Sequence, residues 1–306
     1  MKEQTDNTLE VLSRLIDGGD TDAMLWGASD LLVELLRKFR NELYVTNDPI
    51  TFDRDLVLRC IACKAYELWT PIVALTRTNQ AYAALPLLRP LTEEMIFAHF
   101  LLTLPAEDVS EYLLTKARLE VFEKHIAQAE FFPAIADQFA FHDVALEPPN
   151  SELIARTRAF IKDSRDRLRG ITGRADWPKG GGRTVRDMAR AVGMETYYDF
   201  IYRGSSSAVH ASLHELGRMV WTDRSTGTTR ITFETFEQYY RRFVLVYGGW
   251  VASHTVLTLS SHFPGEFLGE DLDSLSVIMA FFIKPSVIHQ TPGLVTLEEL
   301  NGPSTL

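Results

Sequence analysis

Apolar residues recur along most of the chain at the three-and-four spacing that gathers them on one face of an α-helix. Leu9, Leu12, Leu15 and Ile16 carry the pattern first, and it stops at Gly18-Gly19. Thr21 or Asp22 then stands where a helix cap is needed, ahead of Met24, Leu25, Ala28, Leu31, Leu32, Leu35 and Leu36. A further helix is predicted from Asp53 to Thr78 with a kink at Pro71. Another, capped by Asn79, runs to Leu104, with Pro86 and Pro90 bending its first half. Pro105-Ala106-Glu107-Asp108 reads as a joint, followed by a helix from Val109 to about Phe139.

Glu147-Pro148-Pro149-Asn150-Ser151 breaks the chain before a basic helix from Glu152 to Arg169. Beyond the loop from Gly170 to Gly182, Thr184 caps a short helix ending at Gly193. Helical segments follow from Glu195 to Arg203 and from Ser206 to Val220. The one strand pattern is Met219-Val220-Trp221-Thr222, a Ser225-Thr226-Gly227 turn, then Thr229-Arg230-Ile231-Thr232. A long helix from Phe233 to Phe263 and a shorter one from Leu275 to Phe282 close the body. Strands do not alternate with helices, which excludes a doubly wound sheet. The predicted class is an all-α multi-helix bundle with at most one small β-hairpin near 219–232. Residues 1–284 form a single domain, and the Pro-, Gly- and Thr-rich residues 285–306 form an extended arm.

Composition changes little in that picture. With 306 residues, 46% hydrophobic and 24% charged, the chain is neither disordered nor collagenous. It is long enough to bury roughly three quarters of its unfolded surface without a metal or disulfide. Cys60 and Cys63 share a helical face, poor geometry for a disulfide and half of a tetrahedral metal site. They are expected to be buried and reduced. The polar, acidic opening Met1–Glu10 carries no signal-peptide pattern, so a cytoplasmic location is expected. The uncharged run from Phe243 to Gly265 holds too many Gly, Ser, Thr and His residues for a membrane span and reads as a core helix.

Charge does matter. The net charge is −10, yet residues 155–190 carry eleven Lys or Arg against four Asp, a local +7 on an acidic body. That stretch suits an anionic ligand or nucleic-acid strand, or it is a solvated helix face.

The most polar part of an otherwise core-forming region is Tyr202-Arg203-Gly204-Ser205-Ser206-Ser207-Ala208-Val209-His210-Ala211-Ser212-Leu213-His214-Glu215. On a continuous helix Arg203, Ser207, His210 and His214 would share one stripe. Alternatively Gly204 breaks the helix and Ser205 or Ser206 caps the next one. Charged groups facing a core must line a cavity, pair with acids or meet water. Arg89, Glu93 and Glu94, set among apolar residues, supply the acids: Arg89 and Glu93 are spaced to pair, or Glu93 reaches Arg203 or His210. The cluster is then either a structural network or a pocket in which Glu93 holds an imidazole and Arg203 binds an anion. His210 and His214 are also spaced for two metal ligands, but no third ligand is evident and no cofactor is expected. Lys179 and Arg183 flank three glycines before a helix start, either a phosphate cradle or a surface loop.

Trp177 through Ser212, with Tyr198, Tyr202-Arg203, Ser206 and Val209-His210-Ala211-Ser212, resembles a bacterial domain-of-unknown-function family, number 5677 in its series. Leu88-Arg89 with Glu93 or Glu94 resembles that family's other polar motif. The resemblance spans about 53–261 and implies helices but no activity. Arg203 and His210 also form Arg-x6-His, similar to the motif of the HEPN superfamily of helical ribonucleases, although Gly204 stands where a polar residue is usual. That second resemblance implies metal-independent RNA cleavage at a dimer interface, in a defence or toxin setting. Arg203 would neutralise the phosphate and His210 would move the proton. Tyr202, Ser206 and Ser207 would line the site. RNA or another anionic ligand is then the expected partner, with a homodimer as an open reading. The competing readings are a non-enzymatic binding or scaffold module and a metal-dependent hydrolase using His210 and His214.

Overall fold

The computed structural model describes residues 20–44, 52–139, 151–174, 177–178, 184–210, 212–223, 225–263, 267–291 and 293–295. The helix expected over Leu9–Ile16, the loop cations Lys179 and Arg183, and residues 296–306 lie outside the described residues. The protein is an all-α multi-helix fold with one small hairpin.

Five long helices build the body: α1 (Thr21–Tyr44), α2 (Arg54–Arg77), α3 (Ala81–Thr103), α10 (Glu237–Ser260) and α11 (Gly269–Phe282). Between them in sequence come α4 (Ala106–Phe139), α5 (Ser151–Thr172), α6 (Val185–Ala191), α7 (Glu195–Tyr197), α8 (Arg203–Ser206) and α9 (Leu213–Met219). A single turn, α12 (Pro285–Ile288), follows α11. Strands β1 (Val220–Asp223) and β2 (Thr228–Ile231) pair antiparallel, Val220 opposite Ile231, within the limits the turn signals set. Gly227 supplies the left-handed residue of that turn, at φ 69°.

The apolar face of α1 buries Leu25, Ala28, Leu32, Leu35 and Leu36, while Met24 and Leu31 of the expected stripe are partly buried. Asp53 caps α2 by accepting from the Leu56 N–H at 3.0 Å. Both α2 and α3 run on through their prolines. Asn79 does not cap α3 as expected. It adopts a left-handed conformation, φ 57°, in the link after α2, a geometry asparagine tolerates, and Gln80 takes the cap position.

Helix α10 lies at the centre, against α3, α2, α1 and α11. It can approach so closely because Gly248 and Gly249 leave room for Trp69, Leu88 and Phe282. A Cβ at 249 would sit 2.3 Å from the Phe282 ring. Its buried hydroxyls stay satisfied by donating to their own helix: Ser253 to the Gly249 carbonyl and Thr255 to the Val251 carbonyl, both at 2.7 Å. By length and composition the segment Glu234–Ser260 could cross a membrane, but 72% of its apolar window is buried inside the body.

Helices α4 and α5 pack chiefly on each other. Trp177, buried against Phe100 and Tyr112, pins the chain after α5 onto α3 and α4.

Candidate functional site

The polar segment after α6 does not form one continuous helix. The chain is helical from Glu195 to Ser206 but widens to a π-turn at Tyr198–Tyr202, a local form that often accompanies functional sites. Helix geometry persists through Gly204, against the expectation of a break there. The break falls after Ser206, in turns reaching His210, and Ser212 caps α9. Gly204 answers to packing instead. A Cβ there would lie 2.6 Å from both the Leu294 side chain and the Phe243 ring. His210 and His214 therefore stand on separate pieces of chain, which removes the four-residue helical spacing of the metal reading. Among the described residues no group of three His, Cys, Asp or Glu side chains is placed to hold a metal ion.

The two polar motifs do meet, though not by the expected bonds. Glu93 accepts from Arg89 Nε at 3.1 Å, as the four-residue spacing allowed. Arg89 in turn lies over the Tyr202 ring, its Cζ 4.6 Å from the centroid, and Tyr202 stacks on Tyr198 at 4.4 Å. Burial first, then the neighbouring Tyr202, pushes the Tyr198 phenol up to about 12. Among the described residues neither Arg203 nor His210 bonds to Glu93, which corrects the expected Glu93–imidazole pair. Arg203 makes a long 3.9 Å ion pair with Asp199 and keeps 68% of its side chain exposed. His210 is exposed. The Ser206 hydroxyl is buried without a hydrogen-bond partner among the described residues.

What gathers instead is a set the sequence reading passed over. Glu215 and Arg218, one turn apart on α9, have side chains only 6% and 4% exposed and pair at 3.4 Å. The Tyr240 hydroxyl donates to the other Glu215 oxygen at 2.6 Å, and the Ser207 hydroxyl donates at 3.2 Å. Burial, then the Glu215 carboxylate, drives the Tyr240 phenol far above its ordinary value. Arg218 also stacks on Tyr239, 4.6 Å from its centroid. Over this network opens a cavity of about 140 Å³ lined by Arg203, Ser207, His214, Glu215, Arg218 and Leu294, among others. Arg203, Ser207 and His214, all expected site residues, thus share one cavity, whereas His210 and Glu93 do not line it. Glu215 and Arg218 could have been found from their spacing on a predicted helix. Tyr240 and Leu294 come from distant sequence.

A second overlooked cluster joins α3 to α10. His99 Nε2 lies 3.3 Å from His254 Nδ1 and 3.1 Å from the Thr258 hydroxyl, and the two imidazoles stack at 5.0 Å. Burial lowers both rings' basicity. For His254, with His99 adding to the effect, the value drops to about 4.

The basic stretch is not a bare cationic surface. Arg158, Arg165, Arg167 and Arg174 pair with Glu130, Glu123, Glu111 and Asp108 of α4. Arg169 pairs with Asp166, and Arg186 and Arg190 both pair with Glu195. An open cleft of about 600 Å³ between α4 and α5 is lined by these alternating charges, so it concentrates neither sign. Cys60 is exposed and Cys63 half-buried, contrary to the expectation that both are buried.

A family model described as a family of unknown function, DUF5677, matches residues 55–228, well over half the chain. The chain belongs to DUF5677. No curated protein and no solved structure matches it. The DUF5677 span takes in both polar motifs, the π-turn and α9 with Glu215 and Arg218. It ends before α10, so Tyr240 completes the network from outside the matched residues.

Proposed function

We propose that this DUF5677 protein binds an anionic group in the cavity beneath Arg203 and His214. The observation that carries this reading is a largely exposed guanidinium set over a cavity whose other formal charges, Glu215 and Arg218, offset each other. At about 140 Å³ the space is below the roughly 300–1,000 Å³ of pockets that enclose a drug-sized molecule. It matches the share of roughly five waters, which suits a single phosphate or carboxylate with the rest of the ligand lying outside.

Calorimetric titration with inorganic phosphate tests this. The wild-type protein is expected to bind, and Arg203→Ala to weaken binding roughly tenfold. Because an exposed ion pair contributes at most about 1 kcal/mol, the same change is expected to shift the melting temperature by no more than about 2 °C. No binding by the wild type at millimolar phosphate would overturn the reading in favour of a purely structural network, as a scaffold or interaction module requires.

A second reading adds chemistry: metal-independent cleavage of RNA, with the scissile phosphate on Arg203. The observation favouring it is His210, an exposed imidazole seven residues on, in the turns that follow the break after Ser206. Labelled RNA incubated in EDTA with wild type and His210→Ala is the test. Loss of a proton-transferring group is expected to slow cleavage about 100-fold or more. Equal cleavage by both proteins, or none by either, defeats the ribonuclease reading and leaves the anion pocket to its own titration.

A further inference from the structure

Gly293–Val295 crosses the mouth of the cavity. Upstream the chain is firmly seated: Val287 is buried, Thr291 is buried with its hydroxyl donating to the Val287 carbonyl, and Arg242 Nη1 donates to the Gln290 carbonyl at 3.0 Å. Beyond Thr291 the attachment changes character. The Tyr239 hydroxyl donates to the Gly293 carbonyl, and Arg218 Nη2 donates to the Leu294 carbonyl at 3.0 Å. The Leu294 side chain, half-buried, lies against Gly204, while Gly293 and Val295 are exposed. Two carbonyl oxygens and one apolar side chain thus tie this strap to α8, α9 and α10.

Arg218 is the group on which the strap and a ligand would compete. Glu215 and Tyr239 contact it at 3.4 Å, and the Leu294 carbonyl oxygen at 3.0 Å is nearer than either. A neutral carbonyl is a weaker acceptor for a guanidinium than an anionic oxygen, which adds the attraction of opposite charges to the hydrogen bond. The strap oxygen lies on Arg218 Nη2, inside a cavity that Arg203 and His214 also line.

We propose that the Leu294 carbonyl oxygen holds the seat of the ligand's anionic oxygen. Arg218 is then the inner binding guanidinium, and a phosphate-bearing ligand enters by lifting Gly293–Val295 away. This rests on the anion-pocket reading above. Binding and strap release are linked: whatever loosens the strap tightens the ligand, because the ligand no longer has to displace it. Free protein is held closed, with Arg218 shielded from bulk anions until one of sufficient affinity arrives.

Two measurements on the full chain test this with inorganic phosphate as the probe. Hydrogen exchange of the wild-type peptide covering 289–295 is expected to speed up at least fivefold at saturating phosphate. Leu294→Gly, which keeps the carbonyl but removes the side chain resting on Gly204, is expected to bind phosphate five- to tenfold more tightly than wild type. A thermal melt confirms that this variant is folded, and the exchange measurement does not depend on it. If phosphate binds the wild type but leaves exchange at 289–295 and the Leu294→Gly affinity unchanged, the strap does not compete and the proposal fails while the pocket stands. If phosphate binds neither protein, both readings fail together.

Discussion

Replacing Glu215 with alanine is expected to lower the melting temperature by roughly 6–15 °C. Removing one partner of a buried ion pair strands the other, at about 3–5 kcal/mol, and a domain of this size loses roughly 2–3 °C per kcal/mol. Here the stranded group is Arg218, whose side chain is 4% exposed. The Tyr240 and Ser207 hydroxyls lose their acceptor at the same time. Glu215→Gln removes the charge but keeps one acceptor oxygen, enough for one of the two hydroxyls, which bond different Glu215 oxygens, so its loss is expected to be smaller than that of Glu215→Ala. The sharper check is the double variant Glu215→Ala/Arg218→Met. If the cost comes from an uncompensated buried cation, removing that cation restores stability, and the double variant melts above Glu215→Ala alone. A change of less than 2 °C for Glu215→Ala would mean that water reaches Arg218 freely and the network is not sealed.

That network explains why the charged residues of the polar segment separate as they do. Arg218 and Glu215 are inside and pair with one another, while most of the rest of α9 is exposed. Arg203 directly follows the π-widened stretch, its side chain largely exposed and beside Asp199. The π-turn also places Tyr198 and Tyr202 side by side for Arg89 to cover. Buried and exposed cations are thus separated within one short stretch of chain.

Much of the fold was legible because burial imposes a period. Leu25, Leu32 and Leu36 recur as a one-sided stripe, Asp53 and Thr184 sit where side-chain oxygens satisfy first-turn N–H groups, and the turn at Gly227 needs a left-handed residue. The site was less legible, for two reasons. A helical repeat assumes a constant winding, and the π-turn followed by the break before Ser212 shifts the register of His214 relative to Arg203. Pairing across elements is also not written in local spacing. Glu93 had a partner four residues away in Arg89, and nothing nearby in sequence marks Tyr240 or Leu294 as neighbours of Arg218. The local +7 left two readings open for the same reason, since acids that pair with it lie on α4 and at Glu195.

Acid should weaken the protein through a different pair. His254 is an ordinary imidazole in the unfolded chain, near 6.5, but about 4 in the fold, where burial and His99 oppose its charge. Between those values the unfolded chain binds a proton that the native protein does not, so stability falls as pH drops from about 6.5 toward 4 and is fully present above 6.5. At 1.36 kcal/mol per unit, discounted for partial solvent screening, His254 accounts for about 2 kcal/mol of that fall. The geometry gives the reason: the His254 ring faces a second imidazole at 3.3 Å and the Trp250 ring at 5.4 Å, so a proton on it meets a half-buried, largely apolar wall rather than an acid. Carboxylates elsewhere also titrate at low pH, and comparison with His254→Phe isolates the imidazole. Urea unfolding of both proteins at pH 7.5 and pH 5.0 is expected to show the wild type losing about 1–2 kcal/mol more than the variant. Parallel losses would place the acid sensitivity elsewhere and leave the His99–His254 pair as a neutral packing contact between α3 and α10.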